Sequence, residues 1–424
     1  MTIHRLSLKS WSVIVIGVIL LLIVLPSLLI VRNNRLPNIH VPTPTMPKDN
    51  GWDYYIKAAE MMRNTRKVTV SPDKTVLGDG PAGDAESSHE WTMEELEAFM
   101  KANKPILAVV RQGLNRDYMH EPIRTYRQSL VDPYINSHFR RLAFRLAGEA
   151  IYYDRIGEPE RAADSLVDCM ELGIIIPKGG GLTAGLSGVS VENIGARQLY
   201  EVLPKLSPDK LEELAGRLES INQKRVCFSD LVIEEGWAFT AVFQDSMKPH
   251  ENERCILDTN PTITAVCDKI IYMFINKGAV IQENLEYFQA VAEEQKGQYT
   301  GKTKVLLPNN PFINTLDQDS VVRCHSARAR GEARFTLIQT EVALHRYRAA
   351  NGWYPDKLAD LVPKYLKVVP VDPFGLGKPL KYRSKGNGQS FLLYSIGSDM
   401  KDDGGKPETE VSQSLFNGDI VPGK

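Results

Sequence analysis

The hydrophobic residues of this chain form one uncharged run near the N-terminus, a long series of helical stripes, and a short alternating stretch near the C-terminus. The run is "SWSVIVIGVILLLIVLPSLLIV", residues 10–31, between Lys9 and Arg32. At about 1.5 Å per residue, such a helix covers about 33 Å and can cross a hydrocarbon core of about 30 Å. It is longer than the apolar core of a cleaved signal peptide, and "LLIVRNNR" contains no small-x-small cleavage pattern. The pattern predicts a transmembrane helix over residues 10–31, a cytoplasmic tail over residues 1–9, and the remaining chain outside the cytoplasm.

A second pattern, with apolar residues three and four positions apart, fills residues 51–296 and predicts an all-α unit. Thr92 and Glu95 are spaced as a capping box, which predicts a helix N-terminus there. Lys67 to Glu90 is polar and rich in glycine, and it is interpreted as a loop. Two predicted helices joined at Gly157 to Pro159 resemble one hairpin of a tetratricopeptide-type repeat, although no second copy follows at a period of about 34 residues.

Two segments break the helical pattern and divide the chain. Residues 32–50 carry four prolines and predict an extended stalk, and residues 297–320 carry Gly and Pro/Asn clusters that predict a linker. Residues 321–424 then predict one long helix that stops at Asn351–Gly352, followed by a β-hairpin in which "PLKYRS" and "SFLLYS" alternate around "KGNG". The predicted fold class is therefore α+β and multidomain: a transmembrane helix, an all-α middle domain, and a small C-terminal domain with an antiparallel sheet.

Composition and charge narrow the possible partners. The 51 Lys and Arg residues and the 52 Asp and Glu residues nearly cancel, and no long basic run occurs, which argues against a nucleic-acid partner. The five cysteines include no C-x-x-C pair, so neither a zinc site nor a thioredoxin-like centre is predicted. Cys255 and Cys267 are close enough in the sequence for a disulfide in an oxidising compartment, and the alternative is that they are buried free thiols.

Motifs of the common enzyme classes are missing from the sequence. H-E-x-x-H, G-x-S-x-G and the P-loop do not occur. The stretch "PKGGGLTAGLSG" is rich in glycine, but its lysine precedes the glycines, so it is interpreted as a flexible loop between helices and not as a phosphate site. Glu234 and Glu235 are adjacent and point to different faces of a helix, which does not favour a shared proton. The sequence therefore predicts a protein that is not an enzyme, with no catalytic and no cofactor-binding residues.

The C-terminal residues contain several short sequence motifs in a fixed order: "NGWYP", "PVDPFG", "KPLKY" and "YSIGSD". In this order they resemble the C-terminal domain of the major pseudopilin, the G subunit, of type II secretion systems. The resemblance covers about 85–100 residues and implies a helix followed by an antiparallel sheet. Similar domains occur at the C-terminus of larger bacterial membrane-anchored helical proteins, and this chain looks more like those, because its apolar segment lacks the pseudopilin processing pattern. The residues that carry the resemblance are Asn351, Gly352, Tyr354, Pro355, Asp372, Pro373, Phe374, Gly375, Pro379, Tyr382, Tyr394, Ser395, Gly397 and Asp399.

The resemblance also implies a calcium site in the acidic turn "GSDMKDDGG". In the family this loop binds calcium through aspartate and backbone oxygens, which are the ligands that hard cations prefer. Here Asp399, Asp402, Asp403 and the later Asp419 are expected to supply the carboxylates. The family's second stretch rich in Gly and Asp is replaced by "KPETEVSQSLFNGDI", and the alternative interpretation is a solvated acidic turn.

Two hypotheses on function follow. The first is a non-catalytic, membrane-anchored protein of the bacterial periplasm or cell surface, linked to secretion, whose helical domain binds a protein or peptide partner. The second is an extracytoplasmic enzyme of unknown class with its site in the helical domain. A concave groove that carries clustered titratable groups of perturbed pKa would favour the second hypothesis, and a hydrophobic or mixed groove would favour the first.

Overall fold

The computed structural model describes residues 16–35, 37, 39–65, 67–71, 74–77, 90–246, 274–297, 299–309, 318–412 and 415–423 of the chain. In these residues it is mostly helical, and each sheet is a two-stranded antiparallel pair. The predicted layout of an N-terminal apolar helix, a helical middle and small antiparallel sheets at the C-terminus is confirmed at this level. Cys255 and Cys267 lie outside the described residues. The helices are α1 (Ile16–Asn33), α2 (Gly51–Met62), α3 (Met93–Leu114), α4 (Tyr126–Arg155), α5 (Pro159–Ile175), α6 (Leu182–Val202), α7 (Pro208–Asn222), α8 (Phe228–Ser246), α9 (Lys277–Glu294) and α10 (Gln318–Asn351), and the strands are β1 (Lys67–Ser71), β2 (Lys74–Leu77), β3 (Lys381–Lys385), β4 (Ser390–Tyr394), β5 (Thr409–Ser412) and β6 (Leu415–Asn417).

Helix α1 contains most of the apolar run. It is the one helix in the described part of the chain that is long and apolar enough to cross a membrane, and its apolar side chains are exposed. Its length and composition fit a membrane anchor and also fit a signal sequence. A π-helical turn, Leu20–Val24, lies just before Pro26, whose missing N–H interrupts the regular ladder of helical hydrogen bonds.

The proline-rich segment after α1 is extended and is packed along the helical unit. Ile39 packs against the apolar cluster that contains Phe243, and the side-chain amide of Gln244 donates to the carbonyl oxygen of Ile39 at 3.4 Å. Further along, Arg124 donates to the carbonyl oxygen of Pro42 at 3.0 Å. The segment after α1 therefore contacts the helical unit, and it does not separate that unit from α1 as a free stalk would.

Two apolar cores hold the helical unit together. The first joins α2, α3, α4 and α5, and the second joins α4, α5, α6, α7 and α10. The predicted capping box is present at the start of α3, where Thr92 Oγ1 accepts from Glu95 N at 3.3 Å and Glu95 Oε2 accepts from Thr92 N at 2.6 Å. Two elements differ from the prediction. Residues 67–77 contain the hairpin β1–β2 in place of a loop, since alternating Val and Thr residues favour strands. The second half of the glycine-rich stretch, from Leu182 onwards, forms the start of α6.

Glycines allow α5 and α6 to approach more closely than larger residues would permit. A Cβ atom on Gly173 would lie 2.4 Å from the backbone nitrogen of Glu192 and 2.6 Å from the carbonyl oxygen of Gly188. A Cβ atom on Gly188 would in turn lie 2.5 Å from the carbonyl oxygen of Gly173. Helix α6 forms in a glycine-rich sequence because this close packing compensates for the low helix propensity of glycine.

Gly173→Ala is expected to lower the free energy of unfolding by about 2 kcal/mol or more, because the methyl group would push two packed helices apart. Gly216→Ala in α7 is the matched control, since a Cβ atom there meets no atom within 4 Å. The control should leave stability unchanged or raise it by up to about 1 kcal/mol, the usual preference of a helix for alanine over glycine. Thermal melting of both full-length variants in detergent, followed by circular dichroism, measures the difference. Equal melting temperatures would contradict the close contact.

Helix α10 contributes to the cores on both sides of the predicted linker. Ile338 and Val342 pack in the second helical core with α5, α6 and α7. Leu337 packs instead with Phe374 in the core of the C-terminal domain. The predicted domain boundaries at residues 297–320 therefore mark a change of sequence pattern, while the long helix that follows connects the two cores.

In the C-terminal domain, the buried carboxylate of Asp372 joins the segments around the strands. It accepts hydrogen bonds from Phe374 N at 3.0 Å, from Ser395 Oγ at 2.7 Å and from Ile396 N at 2.9 Å. Strands β3 and β4 form the predicted hairpin. The chain after β4 continues into Ser395, which pairs with Ile420 beyond β6. Asp372 thereby fixes the position of the segment that leads from one hairpin to the other.

Candidate functional site

A cleft in the helical unit brings together titratable side chains that are far apart in the sequence. We call it the His120 cleft and define it by His120, from the segment between α3 and α4, Asp132, from α4, and Glu235, from α8. The ring of Trp52 in α2 packs on the imidazole with 4.4 Å between the ring centroids. A backbone hydrogen bond of 2.7 Å from His120 N to Lys178 O fixes the segment against the start of the glycine-rich stretch.

His120 presents an unpartnered nitrogen inside this cleft. The residue is 2% exposed, and its Nδ1 lies 2.9 Å from the carbonyl oxygen of Glu121, so Nδ1 carries the proton and donates it to that oxygen. Nε2 lies 3.5 Å from Asp132 Oδ1 and has no hydrogen-bond partner among the described residues. Burial lowers the pKa of His120 and raises the pKa of Asp132. The result is a neutral imidazole whose Nε2 lone pair faces a carboxyl group.

Glu234 and Glu235 have different partners, as expected for adjacent residues on a helix. Glu235 Oε2 accepts a hydrogen bond of 2.8 Å from the backbone nitrogen of Leu182, the first residue of α6, where the helix N-terminus favours negative charge. Burial nevertheless raises the pKa of Glu235, and the charges of Asp132 and Glu234 raise it further. Glu234 forms two hydrogen bonds with Arg124, of 2.6 and 3.2 Å. The charge of Glu234 is therefore paired, whereas among the described residues Glu235 accepts a hydrogen bond from a backbone donor and has no Lys or Arg partner.

The glycine-rich stretch, interpreted from the sequence as a flexible loop, is packed against these groups. A Cβ atom on Gly180 would lie 3.3 Å from Cγ of His120. A Cβ atom on Gly181 would lie 2.2 Å from Oε2 of Glu235. The backbone therefore approaches both titratable side chains closely, and a larger residue at position 181 would have to displace the Glu235 carboxylate.

Two adjoining cavities open onto the His120 cleft. The outer cavity has a volume of about 240 Å³, and the inner cavity, beside the glycine-rich stretch, has a volume of about 30 Å³. His120, Ile123 and Asp132 line both. The outer cavity has room for a small ligand or a single side chain of a partner, and the imidazole and carboxyl groups can exchange protons with such a ligand.

The sequence pattern did not reveal this cleft. His120 and Asp132 belong to no sequence motif. Glu234 and Glu235 are adjacent on a helix, which does not favour a shared proton, so the sequence predicts no catalytic role for Glu235. The usable signal was the glycine-rich stretch, since consecutive glycines often mark a place where the backbone closely approaches another group.

A larger groove of about 560 Å³ lies between α7, α10 and residues 363–370, and we call it the interdomain groove. Apolar side chains such as Leu218 and Val368 line it together with polar and charged ones. An ion pair between Arg346 of α10 and Glu212 of α7 joins its two sides. This mixed lining is the kind that favours a protein or peptide partner over chemistry.

Two of the four aspartates predicted to bind calcium, Asp399 and Asp419, have carboxylates that accept hydrogen bonds from backbone N–H groups. Asp399 Oδ2 accepts from Gly418 N at 3.2 Å. Asp419 is buried, and its two oxygens accept from Asp403 N at 3.3 Å and from Gly405 N at 2.6 Å. Backbone N–H groups thus donate to oxygens of both carboxylates.

Asp402 is engaged by side chains instead. Its Oδ1 accepts from the Tyr394 hydroxyl at 2.8 Å, and its Oδ2 lies 2.7 Å from Lys381 Nζ. The hydrogen bond from Lys381, followed by that from Tyr394, lowers the pKa of Asp402. Within the described ranges, no group of three or more His, Cys, Asp or Glu side chains is placed to hold a metal ion. Calcium binding stays a prediction made from the family resemblance.

Comparison with protein-family models, with curated proteins and with solved structures finds no match for this chain. The resemblance of the C-terminal sequence motifs to the pseudopilin domain therefore also stays a prediction. Function has to be inferred from the chain's own residues: the apolar helix α1, the interdomain groove and the His120 cleft.

Proposed function

We propose that this chain is a membrane-anchored protein of the bacterial cell envelope, with residues 32–424 in the periplasm or at the cell surface. Helix α1 supports the anchor, since its length and composition suit a membrane crossing. The helical unit binds a protein or peptide partner and is not an enzyme, and the C-terminal domain is a pseudopilin-like module linked to secretion. The 2.7 Å hydrogen bond between Asp372 and Ser395 supports that module. It gives a physical reason for the motifs "PVDPFG" and "YSIGSD" to occur in the same domain.

The observation that carries partner binding is the interdomain groove. Its volume of about 560 Å³ lies within the range of about 300–1,000 Å³ that is usual for ligand sites. A bound peptide needs apolar contacts for its side chains and polar groups for its backbone. Leu366 and Val368 provide the first, and Asn222 and Gln339 provide the second.

A photoreactive amino acid at position 368 is expected to cross-link the full-length protein in native membranes to one partner of defined mass. Val368 lines the groove and is 70% exposed, so a probe there reaches whatever the groove holds. Leu306 is the matched control position, because it is 74% exposed and does not line the groove. Mass spectrometry of the adducts identifies the partner.

Leu366→Arg provides the second arm, since it places a charge in the groove lining. This substitution should reduce the yield of the adduct from position 368 by about tenfold, which corresponds to about 1.4 kcal/mol of binding free energy. If positions 368 and 306 give the same adducts, or if Leu366→Arg leaves the yield unchanged, the groove does not bind the partner.

A second candidate function is an extracytoplasmic enzyme of the helical unit. The observation that favours it is the His120 cleft, where a neutral imidazole and two carboxyl groups of raised pKa surround a cavity. The raised pKa values bring the two carboxyl groups nearer to neutral pH than usual, which suits general acid–base catalysis.

A further inference from the structure

We propose that the His120 cleft binds a primary ammonium group carried on an apolar stem, as in a lysine side chain. This inference does not depend on the interdomain groove, which lies between other elements, and it holds whether or not the ligand is chemically changed. It rests on the hydrogen-bonding state of His120, the charges around it and the shape of the outer cavity.

The first argument is that a hydrogen-bond donor is missing. Since Nδ1 of His120 donates to the carbonyl oxygen of Glu121, Nε2 presents a lone pair. That lone pair lies 3.5 Å from Asp132 Oδ1, which is also an acceptor when the carboxyl group is ionised. A buried imidazole nitrogen without a partner carries a free-energy cost, which a ligand N–H group placed between the two acceptors would remove.

The second argument is that the cleft has unpaired negative charge. Glu234 is neutralised by Arg124, but Asp132 and Glu235 have no Lys or Arg partner among the described residues, and the charge of Asp132 raises the pKa of Glu235. An ammonium ion has three N–H donors and one positive charge. It can donate to His120 Nε2 and to the Asp132 carboxylate at once.

The third argument comes from the walls of the outer cavity. Ile123, Val131 and Ile135 line it and provide apolar contacts for an alkyl stem, and the ring of Trp52 provides a face that attracts a cation. Arg127 also lines this cavity but is exposed, so its charge faces solvent. Carboxyl groups thus lie inside the cleft and a positive charge lies outside it. This arrangement of charges favours a ligand whose positive group points inward and whose uncharged or negative part lies outward.

A metal ion is the other cation to consider. In the part of the chain that the structure covers, His, Cys, Asp and Glu side chains form no group of three or more placed to hold a metal ion. The apolar wall and the tryptophan ring provide no oxygen ligands for a hydrated metal ion, whereas they can contact an organic cation.

The test is isothermal titration of the purified full-length protein in detergent with Nα-acetyl-lysine-N-methylamide. Its norleucine analogue, which has a similar stem without the ammonium group, is the matched ligand control. The lysine probe should bind saturably, and the norleucine analogue should bind at least tenfold more weakly. Because both ligands are compared on the unchanged protein, this result does not depend on the folding of any variant. Equal binding of the two ligands, or binding of neither, would overturn the proposal.

Two substitutions locate the site. Asp132→Asn keeps the shape of the side chain and removes its charge, and it should weaken binding of the lysine probe by about 10- to 100-fold, the usual effect of losing one charged hydrogen bond. Glu97→Gln is the control, because it removes a carboxylate charge from an exposed residue of α3 that lines neither cavity, and it should change the affinity less than about twofold. If both substitutions weaken binding equally, the probe binds to surface charge and not inside the cleft.

Discussion

Asp372→Ala is expected to destabilise the C-terminal domain by about 3 kcal/mol or more. The substitution leaves three donors, Phe374 N, Ser395 Oγ and Ile396 N, without their acceptor in a region where the carboxylate itself is buried. Asp372→Asn keeps the shape and one acceptor oxygen, so its expected loss is smaller, about 1 to 2 kcal/mol. Thermal melting of the full-length protein measures the global effect, and amide hydrogen exchange of peptides from residues 390–423 measures the local one.

Asp403→Ala is the matched control, because Asp403 is an exposed aspartate of the same domain. It should change the free energy of unfolding by less than about 0.5 kcal/mol. Equal effects of the substitutions at 372 and 403 would contradict the role of Asp372 in joining the segments. The same melts in millimolar calcium and in chelator test the calcium prediction. The hydrogen-bonded turn predicts coinciding curves, whereas a stabilisation by calcium that Asp399→Ala abolishes would establish an ion site.

Glu341 is expected to contribute a fall in stability between about pH 5 and pH 9, and Glu341→Gln is expected to remove that contribution. Glu341 in α10 is 9% exposed, and burial raises its pKa from 4.5 to about 8. Between these two values the folded state binds more protons than the unfolded state, so stability is highest below the lower value and declines as the pH rises through the higher one. At about 1.4 kcal/mol for each pKa unit, the decline reaches about 4 to 5 kcal/mol.

Glutamine has a similar shape and no charge at any pH, so Glu341→Gln should match the wild type at pH 5 and exceed its melting temperature at pH 9. Glu332→Gln is the control on the same helix, because the Glu332 side chain is 38% exposed and pairs with Arg328 at 2.9 Å. This control should keep the pH dependence of the wild type. The test is the melting temperature of the three proteins across the pH range. Parallel curves for the wild type and Glu341→Gln would contradict the claim that Glu341 lowers stability as the pH rises.

The elements with strong local signals were predictable from the sequence. Thr92 and Glu95 form the expected capping box, and the turn "KGNG" joins β3 and β4. Helix α6 was not predictable, because its glycines lower helix propensity and the compensating contact is with Gly173 on another helix. In the same way, prolines indicated an extended segment after α1 but not the surface that it packs against.

The His120 cleft depends on tertiary structure even more. Asp132 and Glu235 come from different helices, and each is an ordinary helical residue when its neighbours in the sequence are considered alone. What makes His120 unusual is the backbone oxygen at its Nδ1 and an Nε2 that has no hydrogen-bond partner within the described ranges, and no sequence pattern encodes either. The acidic turn shows the converse case. The family resemblance implies a cation there, and the structure directs backbone N–H groups to Asp399 and Asp419.

Chemical labelling of Cys227 tests most directly the central claim, that the folded part of the chain lies outside the cytoplasm. Cys227 is an exposed free thiol, whereas Cys169 is buried and its pKa is raised by burial, so it should not react. The measurement uses the full-length chain with Cys255→Ser, Cys267→Ser and Cys324→Ser, expressed in a Gram-negative host. A membrane-impermeant maleimide should label this protein in spheroplasts with an intact inner membrane as completely as it does after lysis. Labelling that appears only after lysis would place the helical unit in the cytoplasm and contradict the account.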